Sequence, residues 1–284
     1  MRVFVTGGTG FIGRRVVEKL IGEGHHLLLL CRGRSYYFSK LKNTKIVKGD
    51  LSNINKWKGF VKKFKPDAVI HLAWEGIPDY GFRMSKKNFI NGLDLLSMLK
   101  ETSCKKILVT GSCWEYGQSF GRLDEDMAVS PLNAFSASKN ALNWLGGEIA
   151  KEAGIKFVWA RVFYVYGPGQ KNSSLIPYLI SSFKSGNRLK LNNPHGGNDF
   201  IYVEDAAGAL VALLSNGRAG VYNIGSGKIT SIADVVNEVY GKKIIKKPNK
   251  IKGFYADISK IKKETNWFPR TSIKKGIEKT IEVF

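Results

Sequence analysis

The stretch VTGGTGFIG at residues 5–13 constrains this chain more than any other. It follows the β-branched run RVFVT and opens the amphipathic segment FIGRRVVEKLIG, so its glycines stand at a strand-to-helix turn. Gly8, Gly10 and Gly13 keep G-x-G-x-x-G spacing, and Gly7 extends the glycine run back into the turn. Glycines are needed there because the backbone must approach a pyrophosphate closely, while free N–H groups and the helix dipole hold the anion. The strand before and the helix after supply the context without which such a string is weak. A dinucleotide-binding α/β fold is therefore predicted.

The rest of the first half agrees. The runs HLLLLCR (26–32), KIVKGD (45–50), DAVIHLAW (67–74), KKILVTGS (105–112) and KFVWARVFYVYG (156–167) read as strands. Between them WKGFVKKFKP (57–66), NFINGLDLLSMLKETS (88–103) and NAFSASKNALNWLGGEIAKEAG (133–154) read as helices. Strands alternating with helices imply βαβ units and a doubly wound parallel sheet of the Rossmann type. Past YGPGQ (166–170) the pattern loosens into loops rich in Asn, Gly and Pro, then IYVEDAAGALVALLSNG and GVYNIGSG return to strand and helix. The expected division is a dinucleotide-binding domain over 1–167 and 198–224, with a small discontinuous α+β substrate domain over 168–197 and 225–284.

The end of the second strand bears on the choice of dinucleotide. An acid about 20 residues after the glycines would bind the ribose hydroxyls of NAD. Cys31, Arg32, Gly33 and Arg34 stand there instead. An arginine pairs with a 2′-phosphate through its planar fork, so Arg32 and Arg34 favour NADP over NAD.

Charge is the unusual bulk property. The 45 lysines and arginines against 23 acids leave a formal net charge of +22. Nucleic-acid contact is one reading, but the densest cluster, GKKIIKKPNKIK at 241–252, has no interleaved aromatics. Solvated lysine faces are the favoured reading, and a basic surface would also draw in a nucleoside diphosphate. No apolar run approaches the ~20 residues that span a bilayer, so no membrane contact is expected. MRVFV starts a strand at once and leaves no room for a secretory signal. Cys31, Cys104 and Cys113 show no paired spacing, which fits a reducing, cytoplasmic setting. No His/Cys/Asp cluster has metal-ligand spacing, so no metal is expected.

These residues resemble the extended short-chain dehydrogenase/reductases that modify sugar nucleotides, the NAD-dependent epimerase/dehydratases, over nearly the whole chain. TGGTGFIG is similar to the family's cofactor loop, which implies Gly7, Gly10, Phe11, Ile12 and Gly13 at the dinucleotide. GDL (49–51) resembles the turn that faces adenine, implying Asp50 and Leu51. HLAW (71–74) resembles the fourth-strand signature, implying Leu72 and Ala73 at the cofactor and Trp74 near substrate, and Asn88 matches a helix asparagine. GSCWEYG (111–117) places Ser112 at the catalytic Ser/Thr position and Cys113 beside it. RVFYVYGPGQ, DFIYVEDAAGAL, YNIGSG and NWFPRTSIKKGI resemble later signatures. Asn172 matches a position near the substrate phosphates, and Asn198 stands where the family usually has an arginine. The resemblance implies a nucleoside-diphosphate sugar as substrate and a homodimer built through the helices at 84–103 and 133–153.

One position departs from the pattern. PLNAFSASK (131–139) matches the catalytic helix except at Phe135, where the family carries tyrosine. Residues 135 and 139 share a helix face. In the family the tyrosine passes a proton to or from the sugar oxygen, and the lysine, here Lys139, bonds the nicotinamide ribose and lowers the phenol pKa. Ser112, Phe135 and Lys139 are thus the candidate catalytic set. Three readings stay open: an engineered Tyr→Phe exchange, an enzyme using another donor, or a protein that binds cofactor and ligand without turnover. The candidate substitute donors are Ser112, a water held by Lys139, Tyr116, Tyr164 and Tyr166.

Cys113 and Trp114 replace the Asp-Glu pair of the family's 4,6-dehydratases, which disfavours dehydration. Trp114 and Ser174 replace the Cys and His of its 3,5-epimerising reductase. SCWEYG looks closest to the loop of 4-keto-sugar reductases, so reduction of a 4-keto-6-deoxy sugar nucleotide at C4 is the expected activity. C4 epimerisation with NAD is the alternative.

Overall fold

A computed structural model describes residues 1–33, 38, 40–191 and 193–284. Seven strands form one parallel sheet: β1 (Arg2–Thr6), β2 (His26–Cys31), β3 (Thr44–Lys48), β4 (Ala68–His71), β5 (Lys106–Ser112), β7 (Lys156–Val162) and β11 (Gly220–Ile224). Their order, β11-β7-β5-β4-β1-β2-β3, reverses between β1 and β4. The chain runs outward from β1 through β2 to β3, returns to β4, and then builds the other half. In a doubly wound sheet the crevice for a ligand opens at such a switch point, beyond the carboxyl ends of the strands.

Both faces of the sheet are covered, which is why its strands are continuous apolar runs rather than alternating ones. The helices Phe11–Gly22 and Val203–Asn216 pack on one face and share a core with Val16, Leu20, Leu210 and Leu213. Phe82–Leu99 and Ala134–Glu152 cover the other through Leu95, Leu96, Leu142 and Ala150. The doubly wound Rossmann sheet expected from the glycine turn and the βαβ alternation is present. Among the described residues no helix is long and apolar enough to cross a membrane.

Two sequence expectations need correction. The helix expected from residue 88 already begins at Phe82, with Gly81 as its cap, and ends at Leu99. The run KFVWARVFYVYG, expected as one strand, is two strands in two sheets. After Val162 the chain leaves the large sheet: Phe163 N donates to Ile224 O at 2.9 Å and Tyr164 N to Asp199 O at 3.1 Å. β8 (Tyr164–Tyr166) then pairs in parallel with β10 (Phe200–Tyr202). The first half is buried on both faces and the second is partly buried, and both are mostly apolar or aromatic, so no change in periodicity marks the break.

A smaller mixed sheet, ordered β12-β9-β13-β6, joins β6 (Gly121–Leu123), β9 (Gly196–Asn198), β12 (Thr230–Ser231) and β13 (Lys252–Ala256). A third core lies beside it around Ile176, Leu179, Phe200, Val236 and Ile277. Asp199 ties this region together: it is wholly buried and accepts from Ser226 N at 2.6 Å, Gly227 N at 3.0 Å and Ala256 N at 3.0 Å. A side chain that satisfies three buried donors cannot be deleted cheaply, because each orphaned N–H keeps its desolvation cost. Asp199→Ala is expected to lower the unfolding free energy by about 3 kcal/mol or more in a urea titration; a loss under about 1 kcal/mol would show that the three amides find other partners.

Candidate functional site

The glycine turn is built as its spacing requires. Gly10 N donates to Gly7 O at 3.0 Å, closing the turn. Gly7 holds φ +75, and a Cβ there would sit 2.5 Å from Ala73 N on the loop after β4. A Cβ on Gly13 would lie 2.0 Å from Gly7 O. Gly10 caps the helix Phe11–Gly22 without a side-chain bond, so the first-turn N–H groups have no side-chain acceptor at the cap. This cradle fits a pyrophosphate: the carbons that would fill it are missing, and uncapped donors line its floor. Phe11 and Ile12 start the helix, partly buried against the third core.

One cleft brings together Gly7, Gly10, Arg32, Asp50, Leu51, Leu72, Ala73 and Trp74, as expected from sequence. Asp50 caps the short helical turn Leu51–Lys56, accepting from Ser52 N at 2.9 Å and Ser52 Oγ at 2.6 Å. Those hydrogen bonds from Ser52 hold its carboxyl below the usual aspartate range. At the rim Arg32 Nη1 pairs with Glu75 Oε2 at 2.6 Å, and Lys87 Nζ with Glu75 Oε1 at 2.5 Å. Asn88 fixes this rim, accepting from Glu75 N at 2.8 Å and donating to Glu75 O at 3.0 Å. Arg34, the other expected phosphate partner, lies outside the described residues.

The candidate catalytic residues lie where the helix Ala134–Glu152 crosses β5. Asn133 caps that helix, accepting from Ser136 N at 2.9 Å. One turn in, Lys139 is 5% exposed; its Nζ donates to Thr110 O at 2.5 Å and stands 4.1 Å from the centre of the Trp74 ring. Burial drives its pKa down to about 7, against the opposing charge of Glu115. Four residues earlier, Phe135 is buried among three aromatic rings. Its centroid is 5.5 Å from Trp74, 5.2 Å from Tyr80 and 5.9 Å from Trp114. Ser112 ends β5 two residues beyond Thr110, and alternation along a strand puts both side chains on one face. Ser112 Oγ accepts from Trp114 N at 3.2 Å and keeps its own proton to donate.

Behind Ser112 lies a support that the motifs did not reveal. Glu115 is wholly buried and accepts from Ser112 N at 2.7 Å, Trp159 Nε1 at 3.0 Å and Arg161 Nε at 3.1 Å. Burial pushes its carboxyl up, and the Arg161 guanidinium opposes that. Tyr80 likewise carries no sequence signal, since the HLAW motif on the loop after β4 ends at Trp74.

The other candidates separate. Cys113 is 3% exposed and packed in the core, with burial pushing its thiol far up. Asn198 shares a groove with Ser173, Tyr178 and Lys190. Asn172 is exposed on the loop before the helix Leu175–Lys184. His71 bonds Thr6 Oγ1 at 2.7 Å, and burial, then the charge of Lys139, lowers its pKa to about 3, so it is neutral and structural. Of the substitute donors, Tyr116 is tied to Asn223 Oδ1 at 2.8 Å and Tyr166 to Ile273 O at 3.3 Å, so neither hydroxyl is free. Tyr164 OH accepts from Trp114 Nε1 at 3.0 Å.

Residues 3–225 match the model of the NAD dependent epimerase/dehydratase family. The chain belongs to this family. Among curated relatives it is 28% identical to UDP-glucuronate 4-epimerase of Thermodesulfobacterium geofontis, over 98% of this chain and 94% of that protein. It is 24% identical to dTDP-6-deoxy-L-talose 4-dehydrogenase (NAD(+)) of Aggregatibacter actinomycetemcomitans, over 84% of this chain and 89% of that one. Among solved structures, a tyrosine-to-phenylalanine mutant of UDP-glucuronic acid 4-epimerase from Bacillus cereus, in complex with a 4-deoxy-4-fluoro analogue and NAD, superposes with a TM-score of 0.87. That match is 23% identical and covers 100% of this chain and 98% of the other.

The buried ammonium has a consequence for stability. Between the folded pKa of about 7 and the ordinary lysine value of 10.5, the unfolded chain binds the extra proton, so stability rises with pH across that window. The difference in unfolding free energy, Lys139→Met minus parent, is expected to fall as pH rises between about 6 and about 9 in urea titrations. A difference that does not change with pH would show that Lys139 is not destabilised by its burial.

Proposed function

We propose that this chain reduces the C4 carbonyl of a nucleotide-linked 4-keto-6-deoxy sugar, with NADPH as reductant. The observation that carries this reading is the wall of Trp74, Tyr80, Trp114 and Phe135 beside Lys139. Such an apolar wall suits a deoxygenated sugar carbon. The four ring side chains of the wall carry no charge for the carboxylate of a uronic acid.

In this reading the amides from Gly10 to Gly13, with Phe11 and Ile12, would hold the pyrophosphate. Gly7, Leu72 and Ala73 would lie along the dinucleotide, with Asp50 and Leu51 at the adenine end. Lys139 would bond the nicotinamide ribose and place positive charge beside the sugar oxygen, and Ser112 Oγ would hydrogen-bond that oxygen. Trp74 would face the sugar, with Cys113 behind it. The nucleoside diphosphate would extend past Asn172 into the groove at Asn198 and Tyr178. When bound, the dinucleotide supplies the hydride. Trp74 Nε1 supports a ligand at this point, being buried with no partner among the described residues.

NADP is preferred in this reading because Arg32 presents a guanidinium at the cleft rim. Its pair with Glu75 does not oppose this: the Arg32 side chain is 67% exposed, and exposed ion pairs contribute at most about 1 kcal/mol. A bidentate phosphate contact is stronger. The helices Phe82–Leu99 and Ala134–Glu152 expose Phe82, Ile90, Trp144 and Leu145, which would form the interface of a homodimer.

A second reading, C4 epimerisation of a sugar nucleotide with NAD, is favoured by the 28% identity to a UDP-glucuronate 4-epimerase. It would use the same Ser112 and Lys139. The two separate in one assay. Phe135→Tyr is expected to oxidise NADPH with a 4-keto-6-deoxy sugar nucleotide, with kcat/KM for NADH lower by about tenfold or more, and Arg32→Ala should remove most of that preference. Interconversion of C4 epimers without net cofactor oxidation would establish the second reading instead. Tight binding without either turnover would leave a ligand-binding protein.

A further inference from the structure

Phe135 keeps a ring at the family's tyrosine position and lacks the hydroxyl, so a reduction here needs a proton from elsewhere. The hydroxyls around the site can be ranked by what already holds them. Tyr116 and Tyr166 are committed to Asn223 and to the carbonyls of Ser272 and Ile273. Tyr164 OH accepts from the Trp114 indole N–H at 3.0 Å, and burial pushes its phenol far up. Ser112 is an alcohol, a far weaker acid than a phenol.

Tyr80 differs from all of these. Its ring packs against Phe135 with centroids 5.2 Å apart at 64°, and against Trp114 at 4.8 Å. It is half-buried, and its hydroxyl has no hydrogen-bond partner among the described residues. The loop that carries it is tied down: Asp79 N donates to Gly76 O at 2.8 Å, and Gly81 N to Asp79 Oδ1 at 2.9 Å. A phenol is thus held one ring away from the place where the family carries its own, with one edge open to solvent.

We infer that Tyr80 is the proton donor of this site, replacing the hydroxyl that position 135 lacks; this rests on the sugar-nucleotide reading above. The carbonyl carbon gains a hydride from a reduced nicotinamide dinucleotide, which is thereby oxidised. The carbonyl π pair moves to oxygen, and that oxygen takes the Tyr80 proton. The phenolate recovers a proton from water at its exposed edge. Burial raises the Tyr80 pKa, which keeps the phenol protonated near neutral pH.

The test compares the parent protein with Tyr80→Phe, Phe135→Tyr and the double variant. The readouts are steady-state reduction of a 4-keto-6-deoxy sugar nucleotide, and calorimetric affinity for NADPH and for the nucleoside diphosphate. Tyr80→Phe deletes one oxygen and leaves the ring contacts. It is expected to cut kcat by about 10²–10⁴ and leave both affinities within about threefold, with the double variant regaining turnover. Three results would overturn the proposal: Tyr80→Phe at parental kcat, a rise in KM with kcat unchanged, or an inert parent beside an active Phe135→Tyr. If both parent and Phe135→Tyr are inert towards ketone and C4 epimer alike, the sugar-nucleotide reading itself fails, and the proposal with it.

Discussion

An ammonium ion held inside the protein by one carbonyl oxygen and the face of an indole is the arrangement on which the rest of this site depends. Burying a charge is expensive unless it is paired, and Lys139 has no carboxylate in direct contact among the described residues. Thr110 O, the Trp74 ring and the more distant charge of Glu115 offset part of the cost, yet the pKa still falls to about 7. For Lys139 to reach Thr110, the helix Ala134–Glu152 must press tightly on β5. The same crossing sets Phe135 against Trp74 and Trp114. A cation kept at this cost, beside a cleft whose glycines leave room for a pyrophosphate, suits a site in which ligand hydroxyls complete its coordination.

Glu115 does for the neighbouring loop what Thr110 does for the lysine. Trp159 and Arg161 project from one face of β7, two residues apart, and reach the same carboxylate that Ser112 N binds. A buried ion pair of this kind is weak evidence for stability, because desolvation of both partners consumes most of the attraction. Its clearer effect is geometric. It fixes the turn that carries Ser112 and Trp114 relative to the sheet, so the ring at 114 meets Phe135 in one orientation.

Much of this was legible in sequence, for definite physical reasons. The glycine cradle could be read because close backbone approach excludes every other residue, as the missing Cβ atoms at Gly7 and Gly13 show. The Phe135–Lys139 pair could be read because helix periodicity joins positions four apart. The split between β7 and β8 could not, since β7 is buried on both faces and shows no alternation to interrupt. Nor could the partner of Arg32: Glu75 lies 43 positions away and meets it only across the switch point. Tyr80 was hidden for a similar reason. A loop tyrosine carries no periodic signal, and its neighbours Trp114 and Phe135 come from elements distant in sequence. The tyrosines nearer to Ser112 and to Tyr164 in the motifs looked better placed, but Tyr116 and Tyr166 spend their hydroxyls on structural bonds.

The glycine turn and the arginine rim line one cleft, and the buried lysine stands over Trp74 of the same cleft, so a dinucleotide bound as proposed would run through it in a single orientation. The measurement that reaches this most directly is a crystal structure of the protein grown with NADPH. The expected density has the pyrophosphate on the amides at Gly10–Gly13, the 2′-phosphate toward Arg32, and the nicotinamide ring beside Lys139. A dinucleotide bound in the reverse sense, with adenine at Lys139, or a cleft that stays empty at saturating NADPH, would contradict it.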